Sequence, residues 1–181
     1  MDSIKIFSPA TVANVGCGFD VLGLCLDKVG DQMVIRKTQR KGIFITKIEG
    51  FELPYAVHEN VAGVSALAMY NELNVDFGFE IEIYKQIKPG SGIGSSAASA
   101  AGSVFGMNYL LDNAFDKIDL IKFAMNGEAV ASKSEHADNI APAILGGFTL
   151  VKQNNPLEAV SYTHLRAHET RHDLVCRLLL E

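Results

Sequence analysis

Residues 88–102 read K-P-G-S-G-I-G-S-S-A-A-S-A-A-G, and this stretch decides how the chain is organised. Gly90, Gly92 and Gly94 recur at every second position, followed by Ser95, Ser96 and a run of small residues. Glycine lets the backbone visit positive φ and lets a ligand reach the main chain unobstructed by a Cβ. Ser95 is a good helix N-cap, and the alanines behind it favour helix. The pattern predicts a loop opening into a helix over about 95–111. The free amides and dipole at such a helix start suit an anion, so the loop is a candidate phosphate cradle. On this stretch alone, a Gly/Ser turn before a packed helix remains the competing reading.

Two other glycine loops fail on context. A P-loop needs a lysine after its last glycine, whereas Ser95 follows Gly94. The dinucleotide pattern is matched only by Gly92, Gly94 and Ala97 and should directly follow a buried parallel strand. The preceding segment instead alternates Phe79, Ile81 and Ile83 with Glu80, Glu82 and Tyr84, which marks a half-exposed strand over 79–87 typical of antiparallel sheets.

The chain has 181 residues, 48% hydrophobic and 20% charged, which fits one globular domain of ordinary size. A net charge of −5 argues against a nucleic-acid surface. No apolar run is long enough to span a membrane, and the N-terminus lacks a signal-peptide layout. Cys17, Cys25 and Cys176 have neither the number nor the spacing of a disulfide frame or zinc site, so a cytoplasmic protein is expected.

In chain order, 4–7 reads as a strand stopped by Ser8 and Pro9, and 32–38 and 43–48 as two strands joined by a hairpin turn at Gly42. Asn14 and Asp20 stand out in the glycine-broken stretch between them as polar groups, each also a common turn residue. Residues 60–73 have helical spacing behind Asn60, a natural cap. Asp116 or Asp119 would cap another helix, and a separate piece over 127–134 begins at Gly127 and Glu128. Gly146 and Gly147 introduce a last strand, F-T-L-V-K. Strands and helices mix without regular alternation, which predicts an α+β fold with a mixed or antiparallel sheet.

The character changes near Val160. No lysine follows Lys152 and no glycine follows Gly147, while His164, His168 and His172 crowd the end at i, i+4 spacing. That spacing suits a metal site, but the tail from Ser161 resembles the product of translating sequencing-adapter DNA. Residues 161–181 are therefore set apart from 1–160.

Three stretches, in order, carry a family resemblance: S-P-A-T-V-A-N-V-G-C-G-F-D-V-L-G at 8–23, P-G-S-G-I-G-S-S-A-A at 89–98, and H-A-D-N-I-A-P-A-I-L-G-G at 136–147. Together they resemble the homoserine kinases, a branch of the GHMP small-molecule kinases that also includes galactokinase and mevalonate kinase. The loop marks the superfamily, and the outer two stretches mark the homoserine branch. Ile93 departs from the usual leucine or methionine but stays apolar.

The resemblance implies an N-terminal ATP-binding domain like domain 2 of ribosomal protein S5 over 1–160, with a ferredoxin-like C-terminal domain largely missing. It implies ATP-dependent phosphorylation of the homoserine side-chain hydroxyl, a step of threonine biosynthesis, with the chain as given an inactive fragment. It puts Pro89, Gly90, Ser91, Gly92, Ile93, Gly94, Ser95, Ser96, Ala97 and Ala98 around the ATP phosphates and Asn60 at the adenine. Ser96 and Glu128 would hold Mg²⁺, a hard cation suited to such oxygens. Asn14, Asp20 and Asn139 would surround the amino acid, with Asp20 facing its ammonium group. Asn139 would stand at the acceptor hydroxyl, where an amide orients but accepts no proton; Asp138 is the fallback base. The implied partner is homoserine, with no nucleic acid and no membrane; a homodimer is compatible. Two alternatives stay open: another GHMP-type kinase acting on an isoprenoid or sugar alcohol, or a non-catalytic nucleotide-binding domain.

Overall fold

The computed structural model describes residues 2–132 and 136–162. Strands β1 (Ser3–Val15) and β2 (Gly18–Thr38) form one long antiparallel hairpin, from Ser3 opposite Arg36 to Val15 opposite Gly18. The expected stop at Ser8 and Pro9 is not there. Pro9 lies opposite Gly30 beside a register shift, and β1 pairs only with β2 among the described residues. At such a bulged edge, a missing N–H disturbs no central ladder.

β3 (Gly42–Glu49) leads through a short 3₁₀ turn into α1 (Val61–Asn71), then β4 (Gly78–Tyr84). β4 inserts between β2 and β3, antiparallel to the first and parallel to the second, in the order β3-β4-β2-β5-β6. The expected hairpin at Gly42 is therefore wrong: α1 supplies the long crossover that a parallel pair requires. Gly78 makes the insertion feasible. It sits opposite both Thr38 and Gly42, and a Cβ there would come within 2.2 Å of the Arg40 carbonyl oxygen and 2.3 Å of that of Gly42.

α2 (Ser95–Leu110) and α3 (Lys117–Ser132) follow, then the short α4 (Ile140–Leu145), β5 (Phe148–Asn154) and β6 (Leu157–Tyr162). The Asp116 carboxylate accepts the Asp119 amide at 2.8 Å, so Asp116 is the residue that caps the start of α3. α3 runs unbroken through Gly127, contrary to the expected separate piece. A Cβ at Gly127 would lie 2.1 Å from Ser65 Oγ and 2.4 Å from the Val61 carbonyl oxygen, so this glycine is a contact point with α1 rather than a break.

The core lies between the helices and one face of the sheet. Met33, Ile35, Phe79, Ile81 and Ile83 meet Met69, Met107, Leu120, Ile121 and Ile140 there. The α+β expectation with a mixed sheet is borne out. β6 runs to Tyr162, two residues past the proposed division at 160, and Ser161 Oγ donates to the Gly146 carbonyl at 2.5 Å. The three tail histidines and Cys176 lie outside the described residues. No helix among the described residues is long and apolar enough to cross a membrane.

Candidate active site

The glycine loop hangs from a buried ion pair. Alternation along β4 buries Phe79, Ile81 and Ile83, and the next residue in that series is Lys85. Along β2 the series Met33, Ile35 extends back to Asp31. Both charges thus land on the apolar face, with side chains 2% and 1% exposed, and they pair. Lys85 Nζ donates to Asp31 Oδ2, to the Ser95 carbonyl at 2.6 Å and to Ser99 Oγ at 2.9 Å, which uses its three protons. Asp31 Oδ1 accepts the amides of Gln86 at 2.7 Å and Ile87 at 2.8 Å. Ser95 Oγ closes the ring by donating to the Ile87 carbonyl at 3.1 Å. Both ends of the loop, Ile87 and Ser95, are thereby clamped. Burial pushes the Lys85 ammonium pKa down, and Asp31 pulls it back up.

Between the clamped ends, Gly90, Gly92 and Gly94 have φ of 75°, 79° and 65°, a conformation that glycine adopts without strain. The N-cap of α2 is Gly94, not Ser95 as expected from the sequence; Ser95 is the first helical residue, and its hydroxyl is engaged with Ile87. No side chain caps α2, so its first-turn amides have no side-chain partner there, and Gly94, Ser95 and Ser96 at that helix start line a cleft.

That cleft encloses about 530 Å³. Of the residues expected at a site, it is lined by Asn14, Asn60, Pro89, Gly90, Gly92, Gly94, Ser95, Ser96, Glu128 and Asn139. Ser91, Ala97 and Ala98 are not among its walls, and Ile93 instead packs beside Ala10, Ile87 and Ala98. The Asn60 side chain is occupied structurally: Oδ1 accepts from Ala62 and Gly63, and Nδ2 donates to the Pro54 carbonyl at 2.8 Å.

Two polar clusters meet at the cleft. Ser96 Oγ donates to Glu128 Oε1 at 2.9 Å, joining α2 to α3. Burial pushes the Glu128 carboxyl pKa up, against the Ser96 hydrogen bond, and Asp138 raises it further. Asn139 Oδ1 accepts from Thr11 Oγ1 at 2.8 Å. Asp138, 4% exposed, accepts the Asn139 amide, and its own pKa is raised mainly by burial. Asp20 stands outside the lining but beside it: its amide donates to Asn14 Oδ1 at 2.8 Å, and His136 Nε2 lies 3.8 Å from its carboxylate. Asn14 and Asp20 both have positive φ, 58° and 57°, so the turn geometry and the site position coincide.

Sequence reasoning missed Asp31, Lys85, Thr11 and His136. For the first two the signal was present: each continues an alternating buried series with a charge, and a buried charge demands a partner. Among the described residues, no group of three or more acidic, histidine or cysteine side chains is arranged to hold a metal.

The clamp is testable by a double-mutant cycle. Lys85→Met leaves the Asp31 carboxylate buried without its cation and should cost about 3–5 kcal/mol in urea unfolding. Adding Asp31→Asn removes the stranded charge and should recover part of that loss. A double variant as unstable as the two single losses added together would show that the pair is not coupled.

Residues 60–147 match the model for the GHMP kinases N terminal domain. The chain is similar to the homoserine kinase of Methanococcus vannielii, 48% identical over 163 residues that cover 88% of this chain and 54% of the relative. The homoserine kinase of Xylella fastidiosa is 43% identical, with 81% and 46% covered. The crystal structure of homoserine kinase from Cytophaga hutchinsonii superposes with a TM-score of 0.83 at 47% identity, covering 89% of this chain and 52% of that one. Methanococcus jannaschii mevalonate kinase, at 16% identity and a TM-score of 0.67, shares the fold. The chain spans about half the length of the curated relatives it matches. The glycine loop, the sheet that carries it and these likenesses agree: residues 60–147 belong to a GHMP kinase N-terminal domain.

Proposed function

We propose that this chain forms the nucleotide-binding part of an ATP:homoserine phosphotransferase. The observation that carries the reading is the convergence, on one cleft, of the uncapped α2 start, the Ser96–Glu128 pair and the Asn139 amide. The similarity to homoserine kinases supplies the substrate class.

In this reading the backbone at Gly90, at Gly92 and from Gly94 to Ser96 faces the phosphates of ATP, and Asn60 with its neighbours Leu53 and Pro54 borders the adenine. Phosphoryl transfer through a loose transition state rests on positioning and charge stabilisation, which a rigid amide cradle supplies without reorganising. The donor set fits Mg²⁺: a hydroxyl and a carboxylate 2.9 Å apart are hard oxygens, and the raised Glu128 pKa marks a buried carboxylate that a cation would favour in its charged form. Bound there, Mg²⁺ would neutralise phosphate charge. Asn139 lies where an acceptor hydroxyl would approach, and its amide orients that hydroxyl without taking its proton. Asp138 is 4% exposed and does not line the cleft, so this reading has no protein base at the reacting oxygen. Asn14 and Asp20 form the amino-acid end, where the carboxylate of Asp20 would meet an ammonium group. This favours an amino acid over an isoprenoid alcohol, which carries no ammonium group.

Glu128→Gln should separate stability from activity. In the full-length protein it should lower turnover on the order of 100-fold or more. Because the folded carboxyl pKa is raised, the parent loses stability as pH climbs from the ordinary glutamate range through that higher value. Without ligand, the variant should therefore unfold at higher urea than the parent at neutral pH, and the gap should close in acid. Normal turnover would reduce Glu128 to a structural carboxylate.

Asp20→Asn should weaken homoserine binding by about 1.5–3 kcal/mol, the scale of a hydrogen bond to a charged group, while calorimetry finds ATP binding unchanged. Equal losses for both ligands would make Asp20 a structural turn residue.

A further inference from the structure

We infer that Thr11 is a positioning residue that locks the Asn139 amide and the glycine loop into one unit, an inference that rests on the kinase reading of the cleft. Thr11 lies on β1, is fully buried, and bonds to two segments far from it in sequence. Its backbone N–H donates to the Ile93 carbonyl at 3.2 Å, inside the glycine loop. Its hydroxyl donates to Asn139 Oδ1 at 2.8 Å.

The hydroxyl has a single proton, and that proton is committed to Oδ1. In this arrangement Oδ1 is turned toward Thr11 and the two protons of Nδ2 are left for other partners. An Asn139 fixed in this sense acts on a ligand oxygen as a donor. Flipped by half a turn, it would present an acceptor, and a hydroxyl nucleophile would be oriented differently. The branched Cβ of threonine restricts χ1, so the donor itself is held still.

The loop backbone is packed directly on this pair. A Cβ on Gly94 would lie 2.0 Å from Thr11 Oγ1 and 3.1 Å from Asn139 Oδ1, which leaves no room for a side chain between loop and lock. The backbone that would face the phosphates and the amide that would face the acceptor hydroxyl are therefore set at a fixed separation through one threonine. In-line transfer depends on that separation.

Thr11→Val keeps the shape and the backbone bond to Ile93 and removes only the hydroxyl; Thr11→Ser keeps the hydroxyl. In the full-length protein with MgATP and homoserine, the valine variant should lose roughly 10-fold or more in kcat. KM for both substrates should stay within about twofold of the parent. The serine variant should recover most of the lost turnover. A purely structural threonine would instead lower the melting temperature and raise KM for ATP. Unchanged kcat in Thr11→Val, or a loss matched by weaker MgATP binding in calorimetry, would overturn the inference. Failure of the parent to bind MgATP at all would sink the kinase reading instead. In that event the Asn139 side-chain amide still decides by NMR: it should be ordered in the parent and fall to an order parameter below about 0.6 in Thr11→Val. An amide equally ordered in both would refute the lock.

Discussion

The ion pair between Asp31 and Lys85 is the constraint on which the site depends. Placing two charges under a sheet is expensive, and a buried pair often adds little net stability over an apolar alternative. Its value here is geometric. One cation reaches a strand, the first residue of α2 and a hydroxyl one turn further along, while the facing carboxylate collects two amides where β4 runs out. The Asp31 carboxylate and the Lys85 ammonium thereby tie both ends of the glycine loop to the sheet, and the Ser95–Ile87 bond ties the ends to each other.

A loop fixed at both ends can carry three left-handed glycines and an uncapped helix start without collapsing over its own amides. The same logic extends outward. Ser96 ties α2 to α3 through Glu128, and Thr11 ties β1 to α4 through Asn139. Four elements distant in sequence thus converge within hydrogen-bonding reach of one cleft. Small residues permit the approach: Gly102 and Gly106 bring α2 down on Met33 and Ile35, and Gly127 brings α3 against α1.

Much of this was legible in the sequence. The loop, the helix behind it and the Asn60 cap followed from local chemistry, because glycine conformations and capping are decided within a few residues. Most residues expected at the site do line the cleft; Ser91, Ile93, Ala97, Ala98 and Asp20 do not. What escaped was set by distant contacts. Nothing near Gly42 shows that β4 will slip between β2 and β3, since the permission lies in Gly78, far along the chain. Pro9 and Gly127 read as breaks because local propensity cannot see a bulged edge or a close helix crossing. α4 has six residues, too few to display a period, and carries Pro142. Asp31 and Lys85 were within reach, had the alternating series of β2 and β4 been followed one residue beyond their apolar members.

A clamped glycine loop that is a phosphate-binding surface must have its backbone N–H groups covered by MgATP. Amide hydrogen exchange with and without saturating MgATP tests it most directly, because the predicted contacts are backbone N–H groups. Slowed exchange should concentrate at Gly90, at Gly92 and from Gly94 to Ser96, with little change along β3 and β6. Slowed exchange elsewhere, with the loop amides unaffected, would contradict it.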